Sequence, residues 1–348
     1  MNDPIALSSQ LKSLFLRYLD SYLPLQNRDL MTERRRLLSE NAVLNQPPVI
    51  EPLSPYPLDQ TIREFCQKHG RNDELASFAN CGLFRREQLY VHQLQAVEAS
   101  LSTEPTHMVV TTGTGSGKTE CFLIPLFARM LDDLSRYRGK ERPRAVRALL
   151  LYPLNALAED QVTRIREAAD STGPTGARDW LDQNRGDRIY FGRYNGMTPV
   201  SGRPGQKGAA DRLRIRKKEM VERARLVAAD PYLRYFFTSM GTESGDTTQS
   251  SEMWDRWSMQ ASPPDLLVTN YSMLNIMLMR DIEAGIFDAT RQWLADDEEA
   301  IFNLVVDELH SYRGTAGTEI AYLLRQLLDR LGLTPDSLKW TPFFGPPG

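Results

Sequence analysis

Short apolar runs alternate with amphipathic segments through most of the chain, and this pattern predicts an α/β fold. Strands are expected near Met108–Thr111, Ala148–Tyr152, Arg188–Phe191, Asp265–Thr269 and Asn303–Val306. Helical segments fall between these runs, which favours a mainly parallel sheet covered by helices on both faces. Because the carboxyl ends of parallel strands share one edge, residues that follow each run are expected to lie together.

The first 75 residues follow a different pattern. Apolar residues at the spacing of Leu11 and Phe15 predict one helix, and a second is expected from Arg28 to Leu44. Five prolines between Gln46 and Pro57 favour an extended connector laid across the next domain, with a partner-binding proline motif as the alternative. A third helix is expected near Leu58–Lys68.

Three regions follow from these patterns: a helical accessory region at 1–75, a main α/β domain at 76–335 and an irregular tail at 336–348. A charged insertion is expected at 202–264. It begins with a basic helix, Arg212–Arg225, which would either contact a phosphate backbone or form a solvated face. The segment Gly241–Ser251 is too polar to pack and is expected to be mobile.

Composition narrows the class of protein. A hydrophobic content of 41% is ample for a buried core, and a net charge of −3 leaves nucleic-acid binding to a local positive track. The three cysteines lack metal-ligand spacing and suit a reducing compartment. The sequence has no apolar stretch of membrane-spanning length and no leader pattern at its amino terminus, so we expect a cytoplasmic protein without membrane contact.

The first strand of the main domain leads into a glycine-rich turn that is typical of a nucleoside triphosphate cradle. Its glycines let backbone N–H groups converge on phosphate oxygens, while Lys118 reaches the β- and γ-phosphates and Thr119 offers a hydroxyl to Mg²⁺. The following helix directs its positive end at the same anion. Thr112 stands where the strict motif has glycine. The residues of the turn are Thr112, Gly113, Thr114, Gly115, Ser116, Gly117, Lys118 and Thr119.

A second motif supplies carboxylates. The apolar run Ile301–Val306 is suited to a buried strand and ends in Asp307 and Glu308. An acid at the carboxyl end of a central strand lies where a Mg²⁺ ligand is needed beside a phosphate loop. We therefore expect Asp307 to hold the metal and Glu308 to orient and deprotonate the attacking water. Acidic pairs are also common at solvated helix starts, so this assignment depends on the phosphate loop.

The order of motifs resembles that of the superfamily 2 DExH-box helicases over about Leu89 to Leu331. The segments that carry the resemblance are Gln93, Thr112–Thr119, Pro153–Gln161, Thr269-Asn270 and Asp307–His310. Further details resemble the large bacterial DEAD/DEAH-box helicases of DNA repair and anti-phage defence. These details lie in Tyr152–Leu157, Thr269–Leu274 and His310–Gly314.

The resemblance implies a RecA-like P-loop domain that uses ATP and Mg²⁺ and binds nucleic acid, with DNA favoured over RNA. Gln93 would then recognise the adenine edge, since its amide carries both a donor and an acceptor. His310 would link the nucleotide and nucleic-acid sites, with a structural hydrogen bond as the alternative. The residues assigned to the sugar-phosphate backbone are Pro153, Asn155, Gly196, Thr269 and Asn270. Helix capping is the alternative for Asn155 and Asn270, and both roles can coexist.

The tail differs from the family pattern. Related helicases continue here into a strand with a Ser-Ala-Thr segment and then a second RecA-like domain, whereas the last eight residues hold three prolines and two glycines. A shifted frame, a truncation and a split protein all remain open. The sequence thus predicts the ATP-binding half of a helicase, weak in hydrolysis unless a second RecA-like domain, for instance on a separate polypeptide, supplies an arginine. The alternative is a non-translocating regulatory module or a degenerate remnant.

Overall fold

A parallel sheet of seven strands forms the centre of the main domain, which confirms the predicted α/β class. The computed structural model describes residues 3–40, 43–46, 55–84, 86–102, 107–113, 115–200, 209–225, 250–312 and 314–345. Across the sheet the strand order is β3-β9-β8-β4-β7-β5-β6, and every neighbouring pair is parallel. The strands are β3 (Met108–Val109), β4 (Ala148–Tyr152), β5 (Phe191–Tyr194), β6 (Glu252–Met253), β7 (Leu266–Asn270), β8 (Phe302–Val306) and β9 (Trp340–Phe344).

Helices cover both faces of this sheet because successive strand residues point to opposite sides. In β4, Leu150 packs into one apolar cluster with Phe127, and Leu151 packs into a second cluster with Trp293. The helices of the main domain are α5 (Val91–Ser100), α6 (Lys118–Arg136), α7 (Asn155–Asp170), α8 (Ala177–Asn184), α9 (Ala209–Arg225), α10 (Arg256–Ala261), α11 (Tyr271–Met279), α12 (Ala284–Asp296) and α13 (Thr315–Leu331). Within the described ranges, no helix is long and apolar enough to cross a bilayer.

The chain divides into two compact units, Met1–Pro55 and Tyr56–Gly348, so the division comes before the predicted boundary at residue 75. The first unit contains α1 (Pro4–Tyr22) and α2 (Arg28–Ser39), which are joined by an ion pair of 2.6 Å between Arg34 and Asp20. The second unit begins with β1 (Leu58–Thr61), α3 (Ile62–Lys68), α4 (Glu74–Phe78), a π-helical turn (Ala79–Leu83) and β2 (Gln88–Tyr90).

The helix predicted at Leu58–Lys68 is wrong over its first four residues. These residues form β1, which pairs antiparallel with β2, and the helix begins only at Ile62. A capping box sets this start, because Thr61 Oγ1 accepts from Glu64 N at 3.1 Å and Glu64 Oε2 accepts from Thr61 N at 2.7 Å. The spacing of Thr61 and Glu64 was readable in the sequence. The strand predicted at Arg188–Phe191 likewise begins later, at Phe191, while Arg188 pairs with Asp182 at 2.7 Å.

The prediction of an irregular tail is wrong for residues 340–344. They form β9, which lies inside the sheet between β3 and β8 even though it contains Pro342. The backbone alternates along β9, so Phe344 accepts a bond from Val110 on the β3 side and Gly345 donates to Val306 on the β8 side. Pro342 is in phase with Phe344, and its missing N–H faces β3, which has only two residues. The proline therefore removes few backbone hydrogen bonds from the sheet.

The predicted insertion at 202–264 is only partly separate from the domain. The basic helix is present as α9, but residues 250–264 belong to the domain, with β6 at the sheet edge and α10 after it. Ser251, expected in a mobile segment, is fully buried, and residues 226–249 lie outside the described ranges. A buried ion pair of 2.7 Å between Arg166 and Glu252 fastens β6 to α7. The polar composition of the segment concealed this packing.

Buried charges tie the amino ends of β4 and β7 to α6. Asp133 accepts bonds of 2.7 Å from Arg142 and 2.6 Å from Arg147, and both arginines also pair with Asp265. Burial by itself would raise the pKa of Asp133, but the charges of Arg147 and Arg142 outweigh it and leave that pKa below its usual value. The stabilisation from this carboxylate is thus present above its unfolded pKa and is lost as the pH falls through the lower folded pKa.

We predict that Asp133→Asn lowers the free energy of unfolding by about 3–5 kcal/mol, because it removes one of the two carboxylates that the buried Arg142 and Arg147 share. Urea denaturation at neutral pH measures this change. The neighbouring Asp132→Asn is the matched control, since the Asp132 side chain is 60% exposed and its bridge to Arg71 should contribute less than about 1 kcal/mol. Equal effects of the two substitutions would contradict a dominant role for the buried network.

Candidate nucleotide and nucleic-acid site

The glycine-rich turn between β3 and α6 requires glycine at position 117, directly before α6, for two reasons. Gly115 and Gly117 have φ angles of +75° and +76°, in the left-handed region that residues with a Cβ rarely adopt. A Cβ on Gly117 would also lie 2.3 Å from Gln93 Nε2 and 2.9 Å from Glu120 Oε2. The turn is therefore shaped both by its own backbone and by the segment packed against it.

Residues upstream of β3 brace the turn through its carbonyl groups. Gln93 Nε2 donates to Gly117 O at 3.0 Å, Gln93 Oε1 accepts from Tyr90 N at 2.9 Å, and His92 Nε2 donates to Ser116 O at 2.9 Å. Gln93 is 2% exposed, so both ends of its amide are used by the protein. This bracing was not expected from the sequence, and the adenine contact assigned to Gln93 stays a prediction.

Thr112, the departure from the strict glycine motif, takes part in the turn through its hydroxyl. Ser116 Oγ donates to Thr112 Oγ1 at 2.8 Å, and Ser116 is fully buried. A Cβ on Gly113 would lie 2.9 Å from the Tyr56 hydroxyl. Thr112, Gly113 and Ser116 thus contact protein groups, and Thr114 lies outside the described residues.

The acidic motif forms a tight turn at the carboxyl end of β8. Asp307 N donates to Leu151 O at 3.1 Å, and Glu308 N donates to Asp307 Oδ1 at 2.9 Å. Glu308 has a φ of +53°, which is uncommon for a residue with a side chain and marks a constrained turn. On the β9 side, Leu309 N donates to Gly345 O at 2.7 Å, and a Cβ on Gly345 would lie 2.6 Å from Asp307 Oδ1.

The glycine-rich turn and the acidic turn share a cleft of about 760 Å³. Thr119 and Asp307 supply a hydroxyl and a carboxylate to this cleft, which are the hard oxygen donors that Mg²⁺ takes together with phosphate oxygens and water. The residues present therefore fit a metal-bound nucleoside triphosphate. The predicted site residues that line the cleft are Gln93, Gly115, Gly117, Lys118, Thr119, Asp307 and Glu308.

Charged residues that sequence reasoning missed also line this cleft. Glu120, on the first turn of α6, forms an ion pair with Arg164 of α7. Arg86 stacks over the Tyr90 ring with its guanidinium carbon 4.8 Å from the ring centre. Arg164 follows Asp160 by four residues on one face of α7, and this spacing was the signal that could have placed it beside the site.

Two residues assigned to a nucleic-acid backbone meet at the same edge of the sheet. Asn270 Nδ2 donates to Asn155 Oδ1 at 2.7 Å, while Asn270 Oδ1 caps α11 by accepting from Met273 N at 2.8 Å. Asn155 is the first residue of α7. The capping interpretation is therefore correct for Asn270. Its role in nucleic-acid binding stays a prediction.

The remaining residues that were assigned to the nucleic-acid backbone or to coupling differ from one another in burial. Thr269 is fully buried, and its hydroxyl donates to Tyr194 O at 2.5 Å, so it holds β7 to β5. Pro153 is partly exposed, and Gly196 is exposed with no atom within 4 Å of a Cβ position. His310 lies in a short 3₁₀ helix, Leu309–Ser311, and its side chain is outside the described part of the structure. The roles assigned to these residues stay predictions.

The fold and the cleft define an ATP-binding domain of the RecA-like type, and the comparison with protein families agrees. Residues 90–188 match the family of DEAD/DEAH box helicases. The chain therefore carries a DEAD/DEAH-box helicase domain.

Two curated proteins are similar to this chain. The Druantia protein DruE of Escherichia coli (strain UMEA 4076-1) is 32% identical over 93% of this chain and 19% of its own length. The uncharacterized ATP-dependent helicase YprA of Bacillus subtilis (strain 168) is 33% identical over 69% of this chain and 20% of its own length. The chain thus spans about a fifth of each of these relatives.

Solved helicase structures also resemble the chain. The crystal structure of the DUF1998 helicase MrfA bound to DNA has a TM-score of 0.47 and 20% identity, and the match covers 90% of this chain and 29% of that one. The DEAD-box helicase Mss116 bound to ssRNA and UDP-BeF has a TM-score of 0.46 and 13% identity, with 84% of this chain and 42% of that one covered.

We predict that Gly117→Ala lowers the affinity for a fluorescent ATP analogue about tenfold or more, because a Cβ there adds backbone strain and displaces Gln93. The control is Gly139→Ala, since Gly139 also has a φ of +76° but has no atom within 4 Å of a Cβ position. Fluorescence titration in magnesium buffer measures both variants. Unchanged binding by Gly117→Ala would show that the turn tolerates a Cβ and does not cradle the nucleotide as described.

Proposed function

We propose that the chain is the ATP-binding half of a DEAD/DEAH-box DNA helicase or translocase, in which Mg·ATP binding and hydrolysis are coupled to contact with a nucleic-acid backbone. The observation that carries this proposal is the single cleft shared by Lys118, Thr119, Asp307 and Glu308. These residue types are the ones that phosphoryl transfer from a nucleoside triphosphate requires at one point.

Within the cleft each residue has a separate task. The Lys118 ammonium neutralises the β- and γ-phosphates, and the N–H groups at the start of α6 bind phosphate oxygens. Thr119 and Asp307 would hold Mg²⁺, which when bound neutralises charge on the phosphate oxygens. Glu308 orients the attacking water and accepts its proton.

Nucleic acid would bind along the carboxyl edge of the sheet beside this cleft. Asn155, Asn270 and the loop at Gly196 offer small polar groups and helix-start N–H groups, which bind phosphate without reading base sequence. We therefore propose backbone-dominated and salt-dependent binding. The preference for DNA, and a role in repair or defence, rest on the resemblance to the large bacterial helicases. We also propose a cytoplasmic location, since the three cysteines are free.

Full activity needs a cation that stabilises charge developing on the γ-phosphate. We assign this cation to an arginine of a second RecA-like domain, in the same polypeptide or in a separate one. Such an arginine contributes about 10³- to 10⁵-fold to the rate in comparable sites. A regulatory module that binds ATP without translocating would not need this contribution, so strand-displacement assays with and without the completing domain separate the two functions.

We predict that Lys118→Ala lowers the affinity for a fluorescent ATP analogue at least about tenfold, because a hydrogen bond to a charged group contributes about 1.5–3 kcal/mol. Titration in magnesium buffer measures the change. Lys140→Ala is the matched control, since Lys140 is exposed in the turn after α6. Equal affinity of Lys118→Ala and the unaltered chain would show that the nucleotide site has been assigned to the wrong loop.

We predict that Asn270→Asp weakens single-stranded DNA binding about tenfold while leaving the melting temperature nearly unchanged. Aspartate caps a helix as well as asparagine does, but it cannot donate to Asn155 and places a negative charge beside the phosphates. Fluorescence anisotropy at several salt concentrations measures the affinity, and thermal denaturation checks the cap. A variant with full DNA affinity would leave Asn270 as a helix cap alone.

A further inference from the structure

An aromatic pair joins the segment assigned to nucleic acid to the segment that carries the acids. Tyr271 is the first residue of α11 and directly follows Asn270, while Tyr312 lies five residues after Asp307. The two ring centres are 4.3 Å apart and the ring planes meet at 61°, an edge-to-face contact. The pair thus connects two segments that are far apart in sequence and adjacent at the edge of the sheet.

Each tyrosine lies in a segment that is held by local hydrogen bonds. On one side Asn270 caps the helix that begins with Tyr271. On the other side Ser311 N donates to Glu308 O at 2.9 Å, and Tyr312 N donates to Leu309 O at 3.1 Å. Tyr271 is thus adjacent in the chain to the capping residue Asn270, and Tyr312 is hydrogen-bonded into the turn that contains Glu308.

Both phenols are partly buried. Burial raises the pKa of Tyr271 above its usual range, with further contributions from Tyr312 and Asp307, and burial raises the pKa of Tyr312 to about 12. Tyr152, at the end of β4, is fully buried, and its pKa is also raised by burial and by Asp307. All three side chains are therefore neutral near pH 7, and the observed contact between Tyr271 and Tyr312 is one of packed rings.

We propose that Tyr271 and Tyr312 are positioning residues that transmit the occupancy of the nucleic-acid segment to Asp307 and Glu308. The inference rests on the proposed function and names the contact through which its two ligands influence one another. Packed side chains pass on small shifts because close-packed contacts do not deform continuously. Binding of nucleic acid at Asn270 then favours the arrangement of the acidic turn that holds metal and water, and the reverse influence follows from linkage.

The test measures this linkage in the full chain. Single-stranded DNA affinity is determined by anisotropy with and without Mg·AMP-PNP, and hydrogen exchange of the peptide covering 301–312 is followed on addition of DNA alone. We expect the nucleotide to change DNA affinity by a factor within the usual range of about 5- to 150-fold. Tyr312→Ala and Tyr271→Ala should each reduce that factor to below about twofold, and the double substitution should reduce it no further.

The controls separate transmission from general destabilisation. Tyr312→Phe keeps the ring and should keep both the coupling factor and the DNA-induced protection of residues 301–312. Tyr137→Ala removes a half-buried tyrosine whose hydroxyl donates to Asp297 at 3.1 Å near the amino end of β8. It should lower stability without changing the coupling. In Tyr312→Ala, DNA affinity in the absence of nucleotide should stay within about twofold of the unaltered chain, which also shows that this variant folds.

Several results would overturn the proposal. One is a coupling factor that is unchanged in Tyr312→Ala. Another is a loss of coupling in Tyr312→Phe or Tyr137→Ala that is as complete as the loss in Tyr312→Ala. If the unaltered chain binds both ligands but shows neither coupling nor protection of residues 301–312, the inference fails and the proposed function stands. If the unaltered chain binds neither ligand, the proposed function fails and the inference fails with it.

Discussion

Backbone hydrogen bonds on both sides of β8 hold the acidic turn on which the chemistry of the cleft depends. Asp307 is bonded through its N–H to β4, and on the other side Gly345 both donates to Val306 and accepts from Leu309. Main-chain groups of two neighbouring strands therefore hold the turn at the carboxyl end of β8. A Cβ at position 345 would lie 2.6 Å from Asp307 Oδ1, so glycine at this position leaves room for the carboxylate.

The sheet carries a stabilising network of buried charges at the amino ends of its strands and the candidate site at their carboxyl ends. At the amino ends of the strands, the buried Arg142 and Arg147 both form ion pairs with the carboxylates of Asp133 and Asp265. At the carboxyl ends, Lys118 and the acidic turn line an accessible cleft. Buried charges need complete pairing, whereas groups that bind phosphate and metal must remain reachable. A parallel sheet permits both because all of its strands point the same way.

Much of the fold and of the site was determined by the sequence alone. The apolar runs at Ala148–Tyr152 and Asn303–Val306 correspond to β4 and β8, since strands buried on both faces leave a continuous hydrophobic signal. The glycine-rich turn and the acid pair were recognisable because each is a local pattern: glycines at left-handed positions, then Lys118, and an acid directly after a buried strand. Their roles stay predictions. The sharing of one cleft by Lys118 and Asp307 followed from strand direction.

Only the tertiary structure decided the features that depend on contacts between distant segments. β9 forms despite Pro342 because its neighbour on that side, β3, is short, and β6 joins the sheet because Glu252 meets Arg166. Likewise, Gln93 braces the glycine-rich turn instead of facing solvent. In each case the feature is stabilised by a buried contact between two segments that are distant in sequence. Local propensity and periodicity describe one segment at a time. They cannot reveal which strand lies beside a strand that contains proline, which charge pairs with a buried charge, or which group a buried amide binds.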